Sequence, residues 1–142
     1  MTADALDVAR RAVACPGWRW MPRMRAALGS VDTGDVAAVG SIGVAVVWDW
    51  ELGAEWHDPD DLLPDLTDPA TLGCLLALVR EAWGDTGECG RVSVYATRSP
   101  TLHALGGNQP WAVCVSPPII EGRVYHGPTE AAALVAALEA AP

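Results

Sequence analysis

The chain has 142 residues, 51% of them apolar, with a formal net charge of −9. That length and apolar content allow one domain with a sizeable core and argue against disorder. The acidic balance speaks against non-specific binding to a nucleic-acid backbone, which needs a broad basic surface. No apolar run reaches the roughly 18 residues expected of a membrane-spanning helix.

The N-terminus, MTADALDVARR, mixes acids and bases, unlike a secretory leader, so a cytoplasmic location is expected. Residues 3–14 read as a short helix. Leu6, Ala9 and Val13 share a face, and Asp4 and Asp7 lie in the first turn where they suit the helix dipole. Cys15-Pro16-Gly17 ends it. Trp18-Arg19-Trp20 then alternates like a strand, with both indoles on one side and Arg19 on the other. Met21-Pro22 turns the chain, and Met24 to Leu28 reads as a second short strand.

Residues 29–35, GSVDTGD, are rich in turn formers. Residues 36–50 form the best strand region, and the nearly continuous apolar stretch IGVAVVWDW suits a strand covered on both faces. Gly40 and Gly43 are candidates for a bend or bulge there. From Glu51 to Asp68 the chain reads as an acidic, proline-containing connection.

The clearest helix follows, over Asp68 to Gly84. Asp68 is a suitable N-cap, Pro69 fits the first helical position, and Gly84 suits a left-handed C-cap. Leu72, Leu75, Leu76, Val79 and Trp83 recur at three- and four-residue spacing. Cys74 and Leu78 lie outside that stripe and are also apolar, so the helix is expected to be largely buried, in part against a second subunit. After a loop at 85–90, Arg91 to Arg98 alternates as a half-buried strand. A polar loop covers 99–109. Pro110 to Ser116 reads as a strand stopped by Pro117-Pro118, and Ile119 to Tyr125 as a last short strand. A helix from Thr129 to Ala140 closes the chain, capped by Thr129, with Ala131, Leu134, Val135 and Leu138 as its apolar stripe. The expected fold is α/β (α+β): one domain spanning 1–142, a layered helix/sheet/helix sandwich with a mostly antiparallel sheet around a largely buried central helix.

Charge is unevenly placed. Residues 1–25 hold five arginines and two acids, whereas 26–68 hold ten acids and no base, and there is no lysine anywhere. The cluster WRWMPRMR therefore stands out. Arginines hold phosphate bidentately and indoles stack on bases, so Trp18, Arg19, Trp20, Arg23 and Arg25 are candidate contacts for a small anionic ligand. The plainer reading makes the two indoles core residues and the arginines solvated or paired. Arg98, His103 and Asn108 are candidates for the same ligand, because Gly106-Gly107-Asn108 would let backbone amides approach an anion. A surface loop is the plainer reading there. In the acidic segment, Asp58, Asp60 and Asp61 are candidates for docking on a basic partner, against the plainer reading of a solvated loop.

The cysteines (Cys15, Cys74, Cys89, Cys114) form no C-x-x-C pair, and the three histidines are far apart in sequence. No zinc site, other metal site or cofactor is expected. Neither G-x-S-x-G nor H-E-x-x-H occurs, so the expected activity is binding rather than catalysis.

The aromatic W-x-W at Trp18 and Trp20, the segment LPDLTDPATLGCLLALVREAWG, Trp111, and the closing TEAAALVAALEA resemble small phage and prophage proteins grouped as phage α-β-α sandwich domains. The resemblance covers about half the chain and does not extend to residues 29–60. It implies a sandwich fold and a phage context, inside the host cell, and brings no catalytic residues. In that context the expected function is a non-enzymatic anti-defence protein that captures a nucleotide-type anion as a homo-oligomer. The alternative is an acidic module that docks on a basic host protein.

Overall fold

A computed structural model describes residues 2–28, 31–39, 45–49, 53–57, 62–85, 91–96, 109–116 and 122–142. Among them are three helices and two antiparallel sheets, so the fold is α+β. The chain divides into two compact units, Met1–Cys74 and Leu75–Pro142.

The first unit begins with α1, Ala3–Ala14, capped by Thr2, whose hydroxyl accepts from the Ala5 amide at 3.2 Å. Ala9 and Ala12 are its fully buried residues. The sheet that follows has the order β4-β3-β2-β1-β5, built from β1 (Arg25–Leu28), β2 (Val31–Val39), β3 (Ala45–Asp49), β4 (Gly53–His57) and β5 (Leu63–Pro64). Helix α1 lies against β5.

Three sequence expectations change here. Trp18–Trp20 belongs to no sheet, and the Trp18 amide closes a turn onto the Cys15 carbonyl at 2.9 Å instead of entering a ladder. The turn formers of 29–35 are absorbed into β2 from Val31 onward. The acidic connection yields β4, which pairs with β3 from Ala45↔His57 to Asp49↔Gly53. In each case the availability of a ladder partner outweighs local composition. The register shifts fall between Ala26 and Ala27 and between Val36 and Ala38, whereas Gly40 and Gly43 lie outside the described residues.

Helix α2, Pro69–Ala82, starts as the sequence expects. The Asp68 carboxylate accepts from the Thr71 amide at 2.8 Å, the N-cap bond to the third helical residue. Its end is a Schellman motif. The Gly84 amide donates to the Glu81 carbonyl at 2.9 Å and the Asp85 amide to the Arg80 carbonyl at 2.7 Å, with Gly84 at φ +64. The fully buried residues of this helix are Thr71, Leu75, Leu78 and Val79. Leu72, Leu76 and Trp83, from the expected stripe, are only half-buried. Burial is thus rotated toward Thr71 and Leu78.

In the second unit, β6 (Val92–Ala96), β7 (Trp111–Val115) and β8 (Arg123–Gly127) form an antiparallel sheet in that order. The last strand sits later than the expected 119–125. Helix α3, Glu130–Glu139, packs on β8 and β7 and is capped by the Thr129 hydroxyl at 3.1 Å from the Ala132 amide. It is the most enclosed helix. Seven of its ten residues are buried, four of them (Ala133, Leu134, Val135, Ala137) completely. Gly127 permits this closeness, because a Cβ there would lie 2.5 Å from the Ala133 nitrogen. Cross-strand register puts Val92, Val113 and Val115 on the face shared with Gly127, and all three are buried. Trp83 joins this core by donating its indole N–H to the Ala137 carbonyl at 2.8 Å. That carbonyl lies in the last turn of α3, where carbonyls lack intrahelical partners.

Candidate functional site

The segment from Trp18 to Arg25 bridges α1 and β1, and its backbone is held at both ends. Trp18 is tied to Cys15 as described. At the other end the Arg25 amide donates to Thr71 Oγ1 at 2.8 Å, and that hydroxyl donates to Asp68 Oδ2 at 3.0 Å. Thr71 is completely buried. One carboxylate therefore caps α2 and, through one hydroxyl, fixes where β1 begins. The Asp65 amide also donates to the Arg25 carbonyl at 2.9 Å.

Between these anchors, the Met24 amide donates to the Met21 carbonyl at 3.2 Å, closing a β-turn over Pro22 and Arg23. Proline fixes a negative φ at the first central position, and Arg23 has φ +74 at the second. That combination defines a type II turn. Met24 is fully buried, whereas Pro22 and Arg23 are exposed. The Met21 amide also approaches Met24 Sδ at 3.3 Å, and the Cys74 thiol approaches the Pro22 carbonyl at 3.9 Å.

The two indoles touch edge to face, with ring centroids 5.6 Å apart and planes at 79°. This is a favoured aromatic geometry. Trp20 packs against Ala26 and Leu62, so it serves the core. Trp18 is half-buried, and its indole nitrogen is shielded from solvent with no acceptor among the described residues. The arginines divide as well. Arg19 and Arg25 have partners within the chain. Arg23 makes no hydrogen bond or ion pair among the described residues. Its charge is nonetheless felt locally. Burial, then the Asp68 carboxylate, pushes the Cys74 thiol above its ordinary range, and the Arg23 guanidinium pulls it back down.

The structure thus brings Trp18 and Trp20 into contact and places Arg19, Arg23 and Arg25 on the same short segment. The other candidates, Arg98, His103 and Asn108 for the ligand and Asp58, Asp60 and Asp61 for a partner, lie outside the described residues. Sequence reasoning did not single out Thr71, although a threonine three residues after an N-cap aspartate is placed to read it. It also missed the left-handed backbone of Arg23, for which the Pro at position 22 is the only signal. A further grouping missed by the sequence lies in the second unit. There the Arg123 guanidinium stands 6.0 Å from the Trp83 ring centroid, and Trp83 lies 6.1 Å from Tyr125. Tyr125 Oη and His126 Nδ1 are shielded without a hydrogen-bond partner among the described residues.

Among the described residues no group of three or more histidines, cysteines or acids could hold a metal ion, and Cys74 and Cys114 are free thiols. Burial pushes the Cys114 thiol up as well, the opposite of what a nucleophilic thiolate needs. No helix among the described residues is long and apolar enough to cross a membrane. The fold and this segment define an α+β protein with an aromatic and arginine-bearing turn on one unit. No protein family, curated protein or solved structure matches the chain.

Proposed function

We propose that this is a non-enzymatic binding protein that holds a small phosphate-bearing anion at the Trp18–Arg25 segment. The observation that carries the reading is the Trp18 indole N–H, shielded and without an acceptor among the described residues, in a segment bearing three arginines. An indole N–H can only donate, and an anionic oxygen is the acceptor such a segment would attract. Trp18 and Trp20 add an aromatic surface against which a base can stack. The phage-type resemblance would make the ligand a nucleotide signal and the role anti-defence. Half-buried Leu72 and Leu76 on α2 support action as a homo-oligomer, a reading that sedimentation at the 14.9 kDa monomer mass would remove.

The test is isothermal titration of the full chain with pyrophosphate, AMP and uncharged adenosine. Pyrophosphate or AMP should bind, and adenosine should bind more weakly than AMP. Trp18→Phe keeps the ring and removes the donor. A hydrogen bond to a charged group contributes about 1.5–3 kcal/mol, so affinity should fall by roughly 10- to 100-fold. Absence of binding by both phosphate compounds, or equal affinity for AMP and adenosine, refutes the reading.

A further inference from the structure

We infer that Arg23 is the residue that contacts the phosphate, and that the Met21–Met24 turn holds it in place at a cost to the stability of the fold. This rests on the anionic-ligand reading above and names the group that would discriminate the ligand.

The turn itself accounts for every other residue in it. Pro22 suits the first central position, the Met24 amide closes onto Met21, and Met24 fills the core. The second central position of a type II turn needs positive φ, which glycine adopts freely and other residues do not. Arg23 occupies it at φ +74. A long β-carbon-bearing side chain gains nothing there from packing, because Arg23 is exposed. It gains nothing from an internal hydrogen bond or ion pair either, among the described residues. Arg19 and Arg25 each interact within the chain and Arg25 is half-buried, whereas Arg23 is exposed with no hydrogen bond or ion pair among the described residues, so Arg23 is the member of the cluster assigned to the ligand.

The chemistry narrows the class. The protein carries a net charge of −9, so long-range attraction does not favour an anion. Short-range, bidentate contact has to supply the selectivity. Guanidinium with a phosphate oxygen pair provides that contact, and an ammonium does not. The ligand class is therefore a terminal phosphate or phosphate ester, with any base presented to the neighbouring indoles.

The experiment compares wild type, Arg23→Gly and Arg23→Lys in two measurements. The first is urea unfolding without ligand. Arg23→Gly should raise the unfolding midpoint and Arg23→Lys should leave it unchanged, because lysine carries the same Cβ. A midpoint for Arg23→Gly at or below wild type overturns the claim that the position is strained. The second is titration with pyrophosphate and with AMP. Arg23→Gly should bind at least about tenfold more weakly, the loss of a charge-assisted contact, and Arg23→Lys should fall between. Should wild type bind either compound and Arg23→Gly bind it equally well, this assignment is wrong while the binding function stands. Should wild type bind neither, both readings fall together.

Discussion

Gly127→Ala tests the packing of α3 on its sheet. Gly127 has no positive φ, so its backbone tolerates alanine and the cost is one of space. The new Cβ would lie 2.5 Å from the Ala133 nitrogen, 2.9 Å from the Ala132 carbonyl carbon and 3.0 Å from the Ala132 Cβ. Ordinary contact begins near 3.4 Å, so the shortest of these falls about 0.9 Å short. Two of the three atoms are backbone and cannot rotate aside. The first turn of α3 must lift, and that turn carries the Thr129 cap and the Ala133 amide bond to the Thr129 carbonyl at 3.1 Å. Overpacking of this kind costs about 1–3 kcal/mol, and a loosened cap adds about 1 kcal/mol. Against this, removing a glycine from the unfolded chain returns about 0.4–1 kcal/mol. The net expectation is a loss of about 1–3 kcal/mol. Urea unfolding followed by circular dichroism and by tryptophan fluorescence measures it. A change within about 0.5 kcal/mol, the range of an ordinary surface substitution, would refute the argument that Gly127 is required by the approach of α3.

Three further outcomes follow from named bonds. Thr71→Val should cost about 1–3 kcal/mol, because the Arg25 amide loses its buried acceptor; Thr71→Ser should recover most of it, and a silent Thr71→Val would show that the Asp68–Thr71–Arg25 relay does not fix β1. Trp83→Phe should cost about 1–2 kcal/mol through the Ala137 carbonyl left without its donor, with faster amide exchange in the last turn of α3; unchanged exchange there would contradict the indole's role as a cap. Alkylation of Cys74 and Cys114 should rise only at pH above the ordinary thiol value of 9.0, since burial raises both; a midpoint below it for either would contradict the burial. Because the folded state favours the protonated thiols, the stability they contribute is present below the unfolded thiol pKa and is lost as pH climbs through the raised folded values. Unfolding midpoints should therefore decline on the alkaline side.

Part of the candidate site was legible in the residues alone. The clustering of Trp18, Trp20 and the arginines stands in the sequence, as does the charge contrast with the acidic stretch that follows. The difference among the arginines does not. Arg25 is half-buried and its backbone is tied to Asp65 and Thr71, 40 and more residues on, while Arg23 is exposed. The strain at Arg23 depends on Met24 being drawn into the core, which fixes the turn around it.

The same division runs through the fold. Asp68, Gly84 and Thr129 act as the sequence says, because a cap bonds to atoms within a few residues of itself and needs no distant partner. The strand over Val92 to Ala96 is likewise legible locally, although its burial fades from Val92 to exposed Tyr95 and Ala96 instead of alternating. Strands are different, since a ladder exists only where a second strand supplies its hydrogen bonds. Trp18–Trp20 alternates and forms none, while Gly53–His57 sits in an acidic stretch and pairs fully with its neighbour. Tertiary structure alone decided which side of α2 is buried and made the closing alanine-rich helix the most enclosed. It also turned the Trp83 indole into the partner of a helix end 54 residues away. The sequence records which residues are suited to burial, and packing between distant segments selects which of them are buried.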